Sequence, residues 1–142
     1  MAHTSIACIA CRENRILIAR RNPTGIMGCR WEFPGGKVEE GESDEQAIVR
    51  EFCEEFGVTV TVGEHIADAE FEHEGILSEL HAFRIYVPHD GTVIPYVLTE
   101  HTEYKWVIPA VIRTLLFVDS DMKLFPEIEK YMERNCSCGT DI

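Results

Sequence analysis

The chain has 142 residues, 45% of them apolar, which is close to the usual size of one domain and enough to bury a core without staples. Its 25 acidic and 13 basic side chains leave a formal charge of −12, which repels a phosphate backbone over most of the surface and argues against duplex DNA or RNA as a partner. No run of about 18 apolar residues occurs and the opening MAHTSIAC lacks the regions of a secretory signal, so no membrane span and a cytoplasmic location are expected.

Short runs rich in β-branched or aromatic residues predict strands at Ile6 to Ala10, Arg15 to Ala19, Val58 to Val62 and Leu80 to Val87, with Glu13 and Asn14 as the turn joining the first two. Cys8, Cys11, Cys29, Cys53, Cys136 and Cys138 include two close pairs, CIAC and CSC, whose thiols suggest a zinc site if the chain ends meet. On a strand, however, Cys8 and Cys11 point to opposite faces and cannot chelate one ion, so plain reduced thiols are the expectation.

Ser43 stands three residues before Gln46, the pattern of a capping box, and Gly57 supplies a C-terminal stop. A helix is therefore predicted from Asp44 to Phe56, docking on the sheet through Ile48, Phe52 and Phe56. Pro109 is expected to open a second helix through Leu116, and Pro126 a third through about Arg134. No repeat or linker divides the elements, so residues 1–142 read as one α+β domain. The six histidines show no metal-ligand spacing and read as surface or satisfied polar groups.

On the first helix Glu51, Glu54 and Glu55 stand at i, i+3 and i+4, which brings three carboxylates onto one side within a turn. Alone, such a row reads equally as an acidic solvated face. Their mutual repulsion would be reversed by Mg²⁺ or Mn²⁺, hard ions that take oxygen ligands and share them with phosphates. Upstream, Pro34-Gly35-Gly36 makes a turn whose backbone can approach a ligand closely.

The stretch GKVEEGESDEQAIVREFCEEFGV resembles the Nudix box: Gly36, five residues, Glu42, seven residues, Arg50-Glu51-Phe52, one residue, Glu54-Glu55, one residue, Gly57-Val58. It covers 23 of the 142 residues. The resemblance implies an αβα sandwich with a mixed sheet and a loop-helix-loop, and hydrolysis of a nucleoside diphosphate linked to another group. It implies that Glu51, Glu54, Glu55 and the Gly36 carbonyl hold Mg²⁺ or Mn²⁺, and that Arg50, partnered by Glu42, orients the glutamates. Glu42 would support the site or contact the metal's outer sphere. For the group that accepts the proton of the attacking water, Glu54 is favoured over Glu51 and Glu100.

The segment WEFPGGK, Trp31 to Lys37, is similar to the MutT-like branch, whose members act on oxidised nucleoside triphosphates, and to its CTP-directed relatives. That branch places a metal-binding or catalytic glutamate about six residues before a tryptophan, and Glu100 stands so before Trp106. Arg21 would contact substrate phosphates, Lys37 would bind the substrate, Phe33 would line the base pocket, and Asp121, with Asp119 as its rival, would read the base edge. Each has a plainer alternative: a strand-end arginine, a core aromatic, a turn-forming aspartate. Residues 108–125 resemble the branch only loosely.

The expectation is a metal-dependent pyrophosphohydrolase converting (d)NTPs, including oxidised ones such as 8-oxo-dGTP, to NMP and pyrophosphate. The alternative substrates are ADP-ribose, NADH and dinucleoside polyphosphates, but the SQPWPFPxS signature of the NADH branch is absent, and His73 stands where the ADP-ribose branch carries proline. A silent nucleotide-binding module is less consistent with an intact, mutually repelling carboxylate row. A small-molecule nucleotide is the expected partner, and the protein would be a monomer or homodimer.

Overall fold

The computed structural model describes residues 3–136, in which eight strands and three helices follow one another. The first strands are β1 (His3–Ile9), β2 (Cys11–Arg12), β3 (Arg15–Arg21), β4 (Trp31–Glu32) and β5 (Gly35–Lys37). Helix α1 (Asp44–Phe56) is followed by β6 (Thr61–His73), β7 (Ile76–Tyr86) and β8 (His101–Val107), then α2 (Pro109–Ile112) and α3 (Asp119–Asn135). One sheet runs β5-β1-β7-β6, with β1 and β7 parallel and the other pairs antiparallel; the second joins β2, β4 and β8 to β3. The first sheet is thus mixed and the class α+β, as expected.

Period-two alternation from β1 into the start of β2 explains the layers. Ile6, Cys8 and Ala10 face one core with Ala47, Ile48, Phe52 and Phe56 of α1, while Ala7, Ile9 and Cys11 face the other with Leu124, Phe125, Ile128 and Met132 of α3. A helix on each face makes the αβα sandwich. Glu13 and Asn14 take φ of 52° and 62°, the double left-handed turn that suits a two-residue hairpin.

Helix α1 begins and ends where its caps predict. Gln46 N donates to Ser43 Oγ at 3.1 Å and Ser43 N to Gln46 Oε1 at 2.9 Å, and Gly57, at φ 74°, donates its N–H to Cys53 O. The other helices differ from expectation. Pro126 lies inside α3, which starts seven residues earlier at Asp119 with Asp119 and Asp121 in its first turn, favourable charges at that end. Proline does mark the start of α2, but that helix stops at Ile112 instead of reaching Leu116.

Strand β6 shares only Thr61 and Val62 with the expected Val58 to Val62 and runs on to His73, because an edge strand carrying Glu64, Asp68, Glu70 and Glu72 shows little apolar signal. Strand β8 was not expected at all. The cysteine expectation is corrected: Cys11 and Cys136 form a disulfide, since the end of α3 lies over the β2–β3 hairpin and brings their Cα atoms to 6.4 Å across 125 residues of sequence. Cys8, Cys29 and Cys53 are free, and Cys138 lies outside the described residues. Among the described residues no helix is long and apolar enough to cross a membrane.

Candidate active site

The turn and strand after Glu32, the polar side of α1, the residue ahead of β8 and the first turn of α3 enclose one cavity of about 520 Å³. That size suits a nucleotide. Two glycines let the backbone pass under the helix: a Cβ on Gly35 would lie 2.0 Å from Ile6 O, and one on Gly36 would lie 2.4 Å from the Glu51 carboxyl carbon. The PGG turn is therefore a closely fitted floor against which Glu51 rests.

The helical period sends the three box glutamates to different depths. The Glu54 side chain is 60% exposed, that of Glu51 15%, and Glu55 is buried among Ala47, Ile48, Phe52 and Phe56 on the inner face of α1. Glu55 Oε1 has no hydrogen-bond partner. Burial, then the charges of Glu51, Glu32 and Glu100, hold the Glu55 carboxyl well above the usual carboxylate range. Burial raises Glu51 as well, against the pull of Arg50.

Arg50 sits at the centre of this group. Its Nε and Nη2 donate to Glu42 Oε2 and Oε1 at 2.8 and 2.9 Å, Nη1 donates to Glu51 Oε1 at 2.9 Å, and Nη2 also reaches Lys37 O. The fork holds Glu42 down to about 2, with help from the Glu39 backbone N–H. Glu42 lies outside the cavity lining and acts on the helix through Arg50.

The donor set suits a hard divalent cation. It consists of carboxylate oxygens, one of them buried and without a partner, beside a glycine with room for nothing but backbone. Among the described residues no three His, Cys, Asp or Glu side chains already surround one point as a metal site. Exposed Glu54, whose closest ion-pair distance is 3.5 Å to Arg50, has freedom to turn inward.

Of the residues expected to bind substrate, Arg21, Phe33, Lys37 and Asp121 line the cavity, as does Glu100, expected as a metal ligand or proton acceptor. Phe33 is 2% exposed and packs edge-on against Phe117, so its ring is mainly core; its backbone N–H donates to Asp121 Oδ2 at 2.9 Å. Asp119 is not brought in. Its carboxylate is 80% exposed, pairs with Arg30 and lies outside the cavity lining, because one turn of α3 directs Asp119 outward and Asp121 inward.

Two residues of the site escaped the sequence reading. Glu32 follows Trp31 on β4 and takes the opposite face, where it accepts from Arg21 Nη1 at 3.1 Å and from His101 Nε2 at 2.8 Å. Strand alternation between buried Trp31 and Phe33 was the available signal.

Burial, then the charge of Glu32, pushes Asp121 up to about 8 from the ordinary 3.8. Between these values the folded protein keeps a proton that the unfolded chain has released, so this group's contribution to stability falls as pH rises from about 4 to about 8. The slope is at most about 1.4 kcal/mol per pH unit. Asp121→Asn, which can still accept from Phe33 N, should flatten that fall, and urea unfolding of parent and variant from pH 5 to 8 measures the difference. Parallel profiles would refute the assignment.

Comparison with known proteins agrees with this geometry. The family model described as NUDIX domain matches residues 1–128. The chain is 40% identical over 104 residues to the CTP pyrophosphohydrolase of Escherichia coli K12, covering 73% of this chain and 74% of that one. It is 46% identical over 59 residues to the 8-oxo-dGTP diphosphatase of Proteus vulgaris, covering 42% and 53%. The solution structure of the E. coli ORF135 protein superposes with a TM-score of 0.77 at 33% identity, covering 93% of this chain and 91% of the other. With the box glutamates, their arginine and the glycine turn gathered around one cavity, the chain belongs to the Nudix family and is a MutT-like hydrolase within it.

Proposed function

We propose that the protein hydrolyses a nucleoside triphosphate to the monophosphate and pyrophosphate, using Mg²⁺ or Mn²⁺ held by Glu51, Glu54, Glu55 and the Gly36 carbonyl, with Glu100 as a further ligand. The bound ion would neutralise charge on the phosphate oxygens and lower the barrier to attack by water. The observation that carries this reading is the buried Glu55 oxygen without a partner, within a cavity that also contains Arg21, Lys37 and Asp121.

Each residue has a part. Arg50 keeps Glu51 and Glu42 in fixed rotamers, so the carboxylates are ordered before substrate arrives. Glu54, exposed to the cavity, accepts the proton of the attacking water. Arg21 and Lys37 supply positive charge to the polyphosphate in a cleft lined by many carboxylates. Asp121 faces the base: a carboxyl that keeps its proton near neutral pH both donates to and accepts from a base edge. The named activities of the relatives, on CTP and on 8-oxo-dGTP, make cytosine and oxidised guanine nucleotides the first to try.

The test is incubation of the purified protein with Mg²⁺ or Mn²⁺ and a panel of CTP, dCTP, dGTP, 8-oxo-dGTP, ADP-ribose, NADH and a dinucleoside tetraphosphate. Pyrophosphate and monophosphate from a triphosphate, abolished by EDTA, are expected. Turnover confined to ADP-ribose or the dinucleotides would replace this reading.

A further inference from the structure

We propose that His101 is a positioning residue that holds Arg21 at the mouth of the cleft through Glu32. The proposal rests on the triphosphate reading for its kinetic consequence, but the tether itself is a feature of the free protein.

The backbone first turns His101 inward. Strand β8 pairs with β3 as Glu103 opposite Arg20 and His101 opposite Arg21, leaving Thr102 as the extra residue of a bulge. Bulges re-aim the side chains beside them, and here the imidazole comes to be 1% exposed. Its ring stacks on Phe56, the last residue of α1, at 5.5 Å and 18°.

Packing alone does not account for a histidine there. An apolar ring would fill the same space, whereas His101 leaves Nδ1 buried with no hydrogen-bond partner, a cost to folding. What the imidazole adds is Nε2, which donates to Glu32 Oε2 at 2.8 Å. The other oxygen, Glu32 Oε1, accepts from Arg21 Nη1 at 3.1 Å. Glu32 is thereby held from two sides, with a side chain 16% exposed, while the Arg21 side chain stays 43% exposed and available.

Arg21 stands between two adjoining spaces, since it lines both the main cavity and a second one of about 280 Å³ that Glu32, Glu100 and His101 also line. A long arginine in a cleft crowded with carboxylates has several competing partners. Fixing Glu32 by His101 leaves one favoured arrangement, in which the guanidinium spans the passage between the two spaces and meets a polyphosphate without first being ordered. Binding of the triphosphate, more than the chemical step, should depend on this chain of contacts.

The test uses the full-length protein with CTP and 8-oxo-dGTP as probes. His101→Phe keeps an aromatic ring against Phe56 and removes the donor; His101→Gln restores a donor near the position of Nε2. The phenylalanine variant is expected to raise KM about tenfold with kcat changed less than about threefold, and the glutamine variant to keep KM within about twofold. In an Arg21→Ala background, His101→Phe should leave KM unchanged, because the residue through which it acts is gone. If the phenylalanine variant does not fold, His101→Asn, whose amide is too short to reach Glu32, takes its part.

A second readout needs no turnover. The Arg21 side-chain Nε–H signal, assigned by its loss in Arg21→Ala, should be as ordered as the backbone in the parent and mobile in His101→Phe by ¹⁵N relaxation. Unaltered Arg21 dynamics, an unchanged KM, or an equal KM rise in the Arg21→Ala background would each overturn the proposal. A parent that hydrolyses neither probe would count against the triphosphate reading alone, and the relaxation measurement would still decide the tether.

Discussion

Glu54→Gln is expected to lower kcat about a thousandfold while thermal unfolding stays close to that of the parent. The unchanged stability follows from the exposure of the group: the Glu54 side chain is 60% exposed, and its closest ion pair, to Arg50 Nη1, is 3.5 Å long. Losing an exposed contact of that kind changes stability little, and removing one of several mutually repelling charges offsets even that. Glutamine keeps the shape, so the PGG floor and the Arg50 fork to Glu42 stay as they are.

Activity should respond quite differently. An amide neither accepts a proton from water nor supplies negative charge to a divalent ion, and both losses act on the chemical step. Steady-state kinetics with Mg²⁺ together with thermal unfolding would check the prediction. A kcat within about tenfold of the parent would move the proton-accepting role to Glu51 or Glu100.

The contrast with Glu55 shows why a row of glutamates is not a row of equivalent groups. Both belong to one turn of α1, yet Glu55 lies on the face that packs with Phe52 and Phe56 and is 4% exposed. Its carboxyl is driven toward the protonated form by burial and by its neighbours. A bound cation would remove that bias, so the deepest glutamate is the one whose charge depends most on the ion.

This difference in depth also marks how far the site could be read from the amino-acid sequence. Helix α1 was legible at both ends because its signals are local: Ser43 and Gln46 cap each other within a single turn, and Gly57 reaches back only to Cys53. The box around it carries its own spacing. By contrast, His101 and Glu32 meet across 69 residues, and the bulge at Thr102 that turns His101 inward leaves no mark in hydropathy.

The start of α3 failed for a related reason. Proline at the first turn is the commoner arrangement, but here the packing of Leu124 and Phe125 in the core holds the helix through Pro126. Choosing between Asp119 and Asp121 required the rotation of that helix about its axis. The disulfide between Cys11 and Cys136 was likewise hidden, since neither neighbourhood refers to the other until α3 docks.

Arg50→Lys should lower kcat about a hundredfold although the positive charge is kept. The arginine makes four hydrogen bonds in a fixed plane, two to the oxygens of Glu42, one to Glu51 and one to the Lys37 carbonyl. An ammonium is a compact charge on a flexible stem and cannot span these partners together. In the variant the Glu42 carboxyl should rise from about 2 toward the ordinary range, because the fork that holds it down is its largest cause.

Glu51 would then be free to leave its rest against Gly36, and the carboxylates would have to be ordered anew each time substrate binds. The loss is therefore one of preorganisation, and raising the metal concentration should not restore kcat. Steady-state kinetics across Mg²⁺ concentrations, with a proton-detected titration of the glutamate carboxyls, separates the cases. Full recovery at high Mg²⁺ would mean that Arg50 acts only on metal affinity, and kcat within about threefold of the parent would mean that charge at position 50 suffices without the planar fork.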